Sequence, residues 1–128
     1  MKKKILVIED DEKITAALAI RLEANGYDVL TAPNGFAGLK SAVEQRPDLL
    51  IMDIWMPNGI GFSVAQRIRD LGLTDIPVIF MTGSKLPGLR RTAKKLGAAA
   101  FFEKPYEPAE LLNAIQMALM PQPVLQTP

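Results

Sequence analysis

The sequence predicts an α/β fold, a doubly wound parallel sheet of five strands with helices on both faces, and three observations predict it. Five short apolar runs alternate with stretches whose apolar residues recur at helical spacing, the pattern of strand–helix units that build a parallel sheet. Glycines and prolines punctuate the alternation where helices should end. Two of the apolar runs, Lys4–Ile8 and Leu49–Met52, stop at acids, Glu9 and Asp53. In an open parallel sheet, ligands gather beyond the carboxyl ends of the strands, which is where those acids fall.

The elements follow in order. Lys4–Ile8 is the first strand. Ile14, Ala17, Leu18 and Leu22 then recur on one helical face, and Asn25-Gly26 closes that helix. Tyr27–Thr31 reads as the second strand and Gly35–Glu44 as the second helix. Leu49–Asp53 is the third strand and Phe62–Leu71 the third helix. Val78–Met81 is the fourth strand. Leu86–Leu96 reads as the fourth helix, with Pro87 tolerated in its first turn and Gly97 as its stop. Ala100–Phe102 is the fifth strand. After Pro108, the stripe of Leu111, Leu112, Ile115, Ala118 and Leu119 marks a last helix. Residues 1–120 form one expected domain; 121–128 turn to Pro and Gln and read as a tail or linker stub.

Composition narrows the chemistry. With 128 residues and 48% hydrophobic content, the chain can build one real core. A formal charge of +1 gives no global drive toward nucleic acid or membrane. The sequence has no cysteine and no histidine, which removes disulfides, thiolate and imidazole ligands, Ser–His triads and any phosphohistidine on this chain. No apolar run approaches the roughly 20 residues that span a bilayer, and the start is too short in apolar residues for a signal peptide. The expectation is a soluble, cytoplasmic protein.

The strand ends carry the functional signal. The first gives Glu9 and Asp10, the third Asp53, the fourth Thr82 with the Gly83 backbone N–H, and the fifth Lys104 after Glu103. Neighbouring carboxylates repel unless a cation sits among them. An oxygen-only set suits Mg²⁺, which keeps several waters and accepts phosphate oxygens. Acids for a metal, a hydroxyl, a free N–H and a lysine are together what holding a phosphoryl group requires. Taken singly, each has a plainer explanation. Glu9–Glu12 resembles a solvated helix start, with Asp11 as N-cap; Asp53 could be a turn residue, Lys104 a surface lysine and Thr82 an ordinary strand residue.

Five stretches, in this order and spacing, resemble the receiver domain of response regulators in two-component signalling: Ile5-Leu-Val-Ile-Glu-Asp-Asp, Pro47-Asp-Leu-Leu-Ile-Met-Asp, Met56-Pro-Asn-Gly-Ile-Gly, Val78-Ile-Phe-Met-Thr-Gly and Phe102-Glu-Lys-Pro. The resemblance runs from about Lys3 to Leu119. It implies a chemotaxis-regulator-like sheet of order 2-1-3-4-5. It also implies that Asp53 accepts a phosphoryl group from a phosphohistidine on a sensor kinase or a histidine phosphotransfer protein. Asp10 and Asp53 would ligate Mg²⁺ (Mn²⁺ as a substitute) directly, Glu9 through water, and the Trp55 carbonyl would complete the protein's share. Thr82 would bond a phosphoryl oxygen, as would the backbone at Trp55 and Gly83, and Lys104 would pair with Asp53 or its phosphate. Thr82 and Phe101 would form the switch, the aromatic ring turning inward when Thr82 moves. A downstream protein would read the face of the fourth helix, fifth strand and fifth helix, without direct contact to nucleic acid or membrane. Such a chain is a signalling switch that helps phosphorylate and dephosphorylate itself, rather than a turnover enzyme.

Two related chemistries fail on named residues. A haloacid-dehalogenase-type phosphatase needs an acid two residues after its nucleophile, where Trp55 stands. A flavodoxin-like binder needs a phosphate loop after the first strand, where Glu9-Asp10-Asp11 would repel the ligand. A binding module indifferent to phosphorylation is the remaining rival. Three features depart from the family pattern: Gly83 stands where Ala is commoner, Ala98–Ala100 where an acidic pair is usual, and Asn113 and Gln116 where DNA-binding members often carry arginines used in dimerisation. Trp55, the single Trp, occupies a position that is often polar, and its bulk is expected to limit water access to Asp53. Lys85–Lys95 holds five basic residues and no acid, a solvated face or one that meets an acidic partner.

Overall fold

The computed structural model describes residues 1–56 and 59–121. The five apolar runs become β1 (Lys4–Ile8), β2 (Asp28–Ala32), β3 (Leu49–Asp53), β4 (Val78–Thr82) and β5 (Ala100–Glu103), all parallel, in the order β2-β1-β3-β4-β5. The predicted order holds. Between the strands run α1 (Glu12–Ala24), α2 (Gly35–Gln45), α3 (Gly61–Asp70), α4 (Leu89–Lys95) and α5 (Pro108–Ala118).

Strand alternation sorts the core into two layers. Leu6 and Ile8 of β1, Leu50 and Met52 of β3, and Val78 and Phe80 of β4 face one side, against Ala42 of α2, Val64, Ala65 and Ile68 of α3, and Ala93 of α4. The intervening residues Ile5, Val7, Leu49, Ile51, Ile79 and Met81 face the other, against Leu18 and Leu22 of α1 and Leu111 and Ile115 of α5. Because β1, β3 and β4 are covered on both faces, their sequences are unbroken apolar runs rather than alternating ones.

Local chemistry fixes the ends. The Asp11 carboxylate caps α1 by accepting from the Lys13 and Ile14 amides at 2.9 and 3.3 Å. Asn34 caps α2 through the Ala37 amide at 2.8 Å. Two glycines let helices approach strands closely. A Cβ on Gly38 would strike the Ile8 side chain, and one on Gly61 would run into the Asp53 carbonyl oxygen.

Two expectations shift, and one element is new. The second strand begins at Asp28, one residue later than read, because the Tyr27 amide is held by Leu22 O in the turn that leaves α1. The fourth helix is shorter than Leu86–Leu96. Gly88 is its N-cap at φ 89°, a left-handed conformation that cannot lie within a helix, so Leu86 and Pro87 belong to the preceding loop. Two-residue strands at Trp55–Met56 and Gly59–Ile60 form an antiparallel pair before α3 that the sequence pattern did not announce. Pro57 and Asn58 of the Met56–Gly61 motif, and 122–128 of the expected tail, lie outside the described residues.

Candidate functional site

β1 and β3 are adjacent in the sheet, with Ile8 opposite Met52, so the residues that follow them arrive at one edge. Glu9, Asp10 and Asp53 each bring a carboxylate oxygen to within 4.8 Å of the others. Their environments differ. Glu9 is 6% exposed, whereas Asp10 is open to solvent. Glu9 Oε2 accepts from the Asp10 and Asp11 amides at 2.9 and 3.3 Å, a turn that aims the side chain into the site.

Lys104 arrives from the end of β5, its amide donating to Thr82 O at 2.7 Å and its peptide bond to Pro105 cis. Its Nζ lies 2.6 Å from Glu9 Oε1 and 2.7 Å from Asp53 Oδ2. The second Asp53 oxygen accepts from the Trp55 amide at 3.0 Å. Burial pushes the Glu9 carboxyl up, helped by Asp10 and by the Asp53 charge, with Lys104 pulling the other way. Burial likewise works against the Lys104 ammonium, yet its hydrogen bonds to Asp53 and Glu9 and their charges together raise its pKa. Three carboxylates thus face one ammonium, leaving a formally anionic, oxygen-only donor set that fits a hard divalent cation.

Thr82 closes β4 next to this cluster and is fully buried, its Oγ1 accepting from the Ser84 amide at 2.9 Å. Gly83 follows, exposed and with no atom within 4 Å of where a Cβ would stand. Trp55 sits beside Asp53 and is 43% exposed. Phe101 is half-buried on the α3–α4 side of the sheet, with the Arg90 guanidinium 4.7 Å from its ring centroid.

All the side chains singled out in the sequence therefore meet at one strand edge, except Phe101, which lies behind it on β5. Sequence reasoning missed two partnerships. Glu9 is the second anchor of Lys104, and the Ser84 amide engages Thr82. The first could have been suspected from an acid flush against a buried strand; a backbone donor has no residue signature.

The fold and edge chemistry define a doubly wound α/β domain with an acidic, oxygen-donor strand edge, and comparison with known proteins identifies its family. Residues 5–116 match the response regulator receiver domain, and the chain belongs to that family. It is similar to the alkaline phosphatase synthesis transcriptional regulatory protein PhoP of Bacillus subtilis, at 34% identity over 128 residues, all of this chain and 52% of that protein. It is also similar to the DNA-binding dual master transcriptional regulator RpaA of Synechocystis, at 36% over 122 residues, 91% of this chain and 48% of the relative. The chain thus spans about half the length of these curated relatives. Among solved structures, the chemotaxis response regulator CheY4 of Vibrio cholerae superposes with a TM-score of 0.84 at 29% identity, covering 93% of this chain and 100% of that one. A CheY-like receiver protein of Methanospirillum hungatei gives 0.87 at 28%, covering 93% and 94%. No helix among the described residues is long and apolar enough to cross a membrane.

Proposed function

We propose that this chain is a Mg²⁺-dependent phosphoacceptor switch, in which Asp53 takes a phosphoryl group from a phosphohistidine on a sensor kinase or phosphotransfer protein. The observation that carries the proposal is Lys104 held between Glu9 and Asp53 at the rim of the carboxylate cluster. In the transfer, an Asp53 oxygen forms a bond to phosphorus as the phosphorus–nitrogen bond of the donor imidazole breaks. A carboxylate is a weak nucleophile toward an anionic phosphoryl group, so catalysis here is charge compensation and positioning. Glu9, Asp10, Asp53 and the Trp55 carbonyl would hold the cation. When bound, it would neutralise the cluster and the incoming phosphoryl oxygens.

The chain's own residues supply the rest. Lys104 already touches Asp53 Oδ2 and would keep its contact with the oxygens of the new phosphate. The Trp55 amide orients the other carboxylate oxygen. The Gly83 amide and Thr82 hydroxyl lie at the neighbouring strand end, where a phosphoryl oxygen would be received. Drawing Thr82 toward the phosphate would shift the balance between two conformations of the face made by α4, β5 and α5, which a downstream protein reads. The chain is a switch rather than a turnover enzyme, and the curated relatives it matches are transcriptional regulators about twice its length.

Intact mass after incubation with a small acyl phosphate and Mg²⁺ tests the reading. The expected result is one phosphoryl group on the wild type, none on Asp53→Asn and none without the metal. A folded wild type that gains no mass and fails to bind a phosphoryl mimic would leave a phosphorylation-independent binding module.

A further inference from the structure

Phe101 is half-buried, with packing on one side of its ring and open space on the other. Its ring rests on the α3–α4 core layer, but a cavity of about 450 Å³ opens beside it, between α4 and the start of α5. Besides Phe101 and Arg90, that cavity is walled by Phe102, Pro105, Tyr106 and the acids Glu103, Glu107 and Glu110. A ring with free volume on one side is held by few contacts, so each remaining contact weighs heavily on its rotamer. The most directed of them comes from Arg90, whose guanidinium carbon stands 4.7 Å above the ring centroid. Arg90 is the second residue of α4 and makes no ion pair among the described residues, although three acids line the same cavity.

The strand register ties this contact to the phosphoryl site. Phe80 pairs with Phe101 and Thr82 with Glu103, so Thr82 and Phe101 project from the same sheet face on neighbouring strands. A turn of the Phe101 ring along that face toward Thr82 is the motion the family resemblance implies. A ring that turned toward Thr82 would leave the guanidinium, which stands over its present place from α4.

We propose that Arg90 is a latch on the Phe101 switch: its guanidinium holds the ring in the place it occupies here, against α4, and so sets how much of the chain adopts the responding conformation before phosphorylation. This rests on the function proposed above and deepens it by naming a regulatory residue outside the phosphoryl site. Arg90 touches neither the cluster nor the phosphate, so it is a positioning residue. A second tie crosses the same gap, Lys85 Nζ to Glu103 Oε2 at 3.1 Å, but both side chains are largely exposed and such pairs contribute little. Arg90 dominates the latch.

A phosphoryl mimic selects the responding conformation, so its apparent affinity reports how often that conformation is available. Calorimetric titration with beryllofluoride in saturating Mg²⁺ should show Arg90→Met binding about two- to fivefold tighter than wild type, the range expected from loss of a solvent-facing cation–π contact. Arg90→Lys should fall between them, and Lys85→Met should change little. The Mg²⁺ affinity measured without beryllofluoride should be the same in all four proteins, because nothing at the carboxylates has changed. In a Phe101→Ala background, Arg90→Met should have no further effect. Equal or weaker mimic binding by Arg90→Met, or an undiminished effect in the Phe101→Ala background, overturns the latch while leaving the phosphoacceptor reading standing. A folded wild type that binds Mg²⁺ but no beryllofluoride overturns both.

Discussion

Lys104 and Mg²⁺ would compete for the same oxygens, and the competition can be read one residue at a time. Lys104 is the only cation among the described residues that touches the acid cluster, and it spends its charge on Glu9 and Asp53 together. Lys104→Met should destabilise the metal-free chain by about 2 kcal/mol, since Glu9 would keep a buried carboxyl with its charged partner gone. The same variant should bind Mg²⁺ more tightly than wild type, because a positive charge beside the site has been removed. Asp53→Asn should bind it more weakly. Trp55 fluorescence during a Mg²⁺ titration measures both, and weaker binding by Lys104→Met would show that the lysine supports rather than opposes the cation. Glycines make the second contrast. Gly61→Ala puts a methyl into the Asp53 backbone carbonyl, which cannot swing aside as a side chain would, and should cost about 1–3 kcal/mol in urea unfolding. Gly83→Ala meets open space and should be neutral or stabilising by up to about 1 kcal/mol through the unfolded chain.

At the scale of elements, the strands were the most legible part of the sequence. β1 and β3 are buried on both faces, so each had to be an apolar run, and the acid that ends each run had to emerge at the edge. The last helix was equally clear, because Leu111 and Ile115 lie one turn apart on a single buried face. The start of α4 was not. Leu86 continues the apolar spacing of a helix, but it is 59% exposed, and Gly88 breaks the backbone between it and Leu89. Periodicity cannot distinguish an exposed leucine from a buried one. The pairing of Trp55–Met56 with Gly59–Ile60 was also invisible, since two-residue strands are too short to alternate. It nonetheless has a part to play. Trp55 and Ile60 are cross-strand partners, each 43% exposed, and make an apolar pair just after Asp53. If that pair keeps water from the phosphoryl group, Trp55→Asn should lose the group severalfold faster than wild type after donor removal. Decay followed by intact mass decides it; equal lifetimes would leave Trp55 with no shielding role.

The whole molecule is one sheet with a layer of side chains on either face, and the acid edge belongs to neither layer. Leu22 of α1 lies in the layer shared with α5, Ile68 of α3 in the layer shared with α2 and α4, and neither belongs to the carboxylate cluster. Leu22→Ala and Ile68→Ala should each lower stability by about 2–5 kcal/mol in a single transition, because both layers share the same strands. Metal binding should act on a separate axis. A cation bound only by the folded chain stabilises it by RT ln(1 + [L]/Kd), about 2.7 kcal/mol at a hundredfold excess over Kd. The carboxylates converge without the ion, so its binding should bury little new surface. Mg²⁺ should therefore raise the urea midpoint without changing the slope of the unfolding free energy, which tracks exposed surface. The increment should be the same in wild type, Leu22→Ala and Ile68→Ala, and should shrink in Asp53→Asn. A steeper slope with metal would show that the edge is assembled by the ion rather than by the strands. The organising role would then pass from β1 and β3 to the cation.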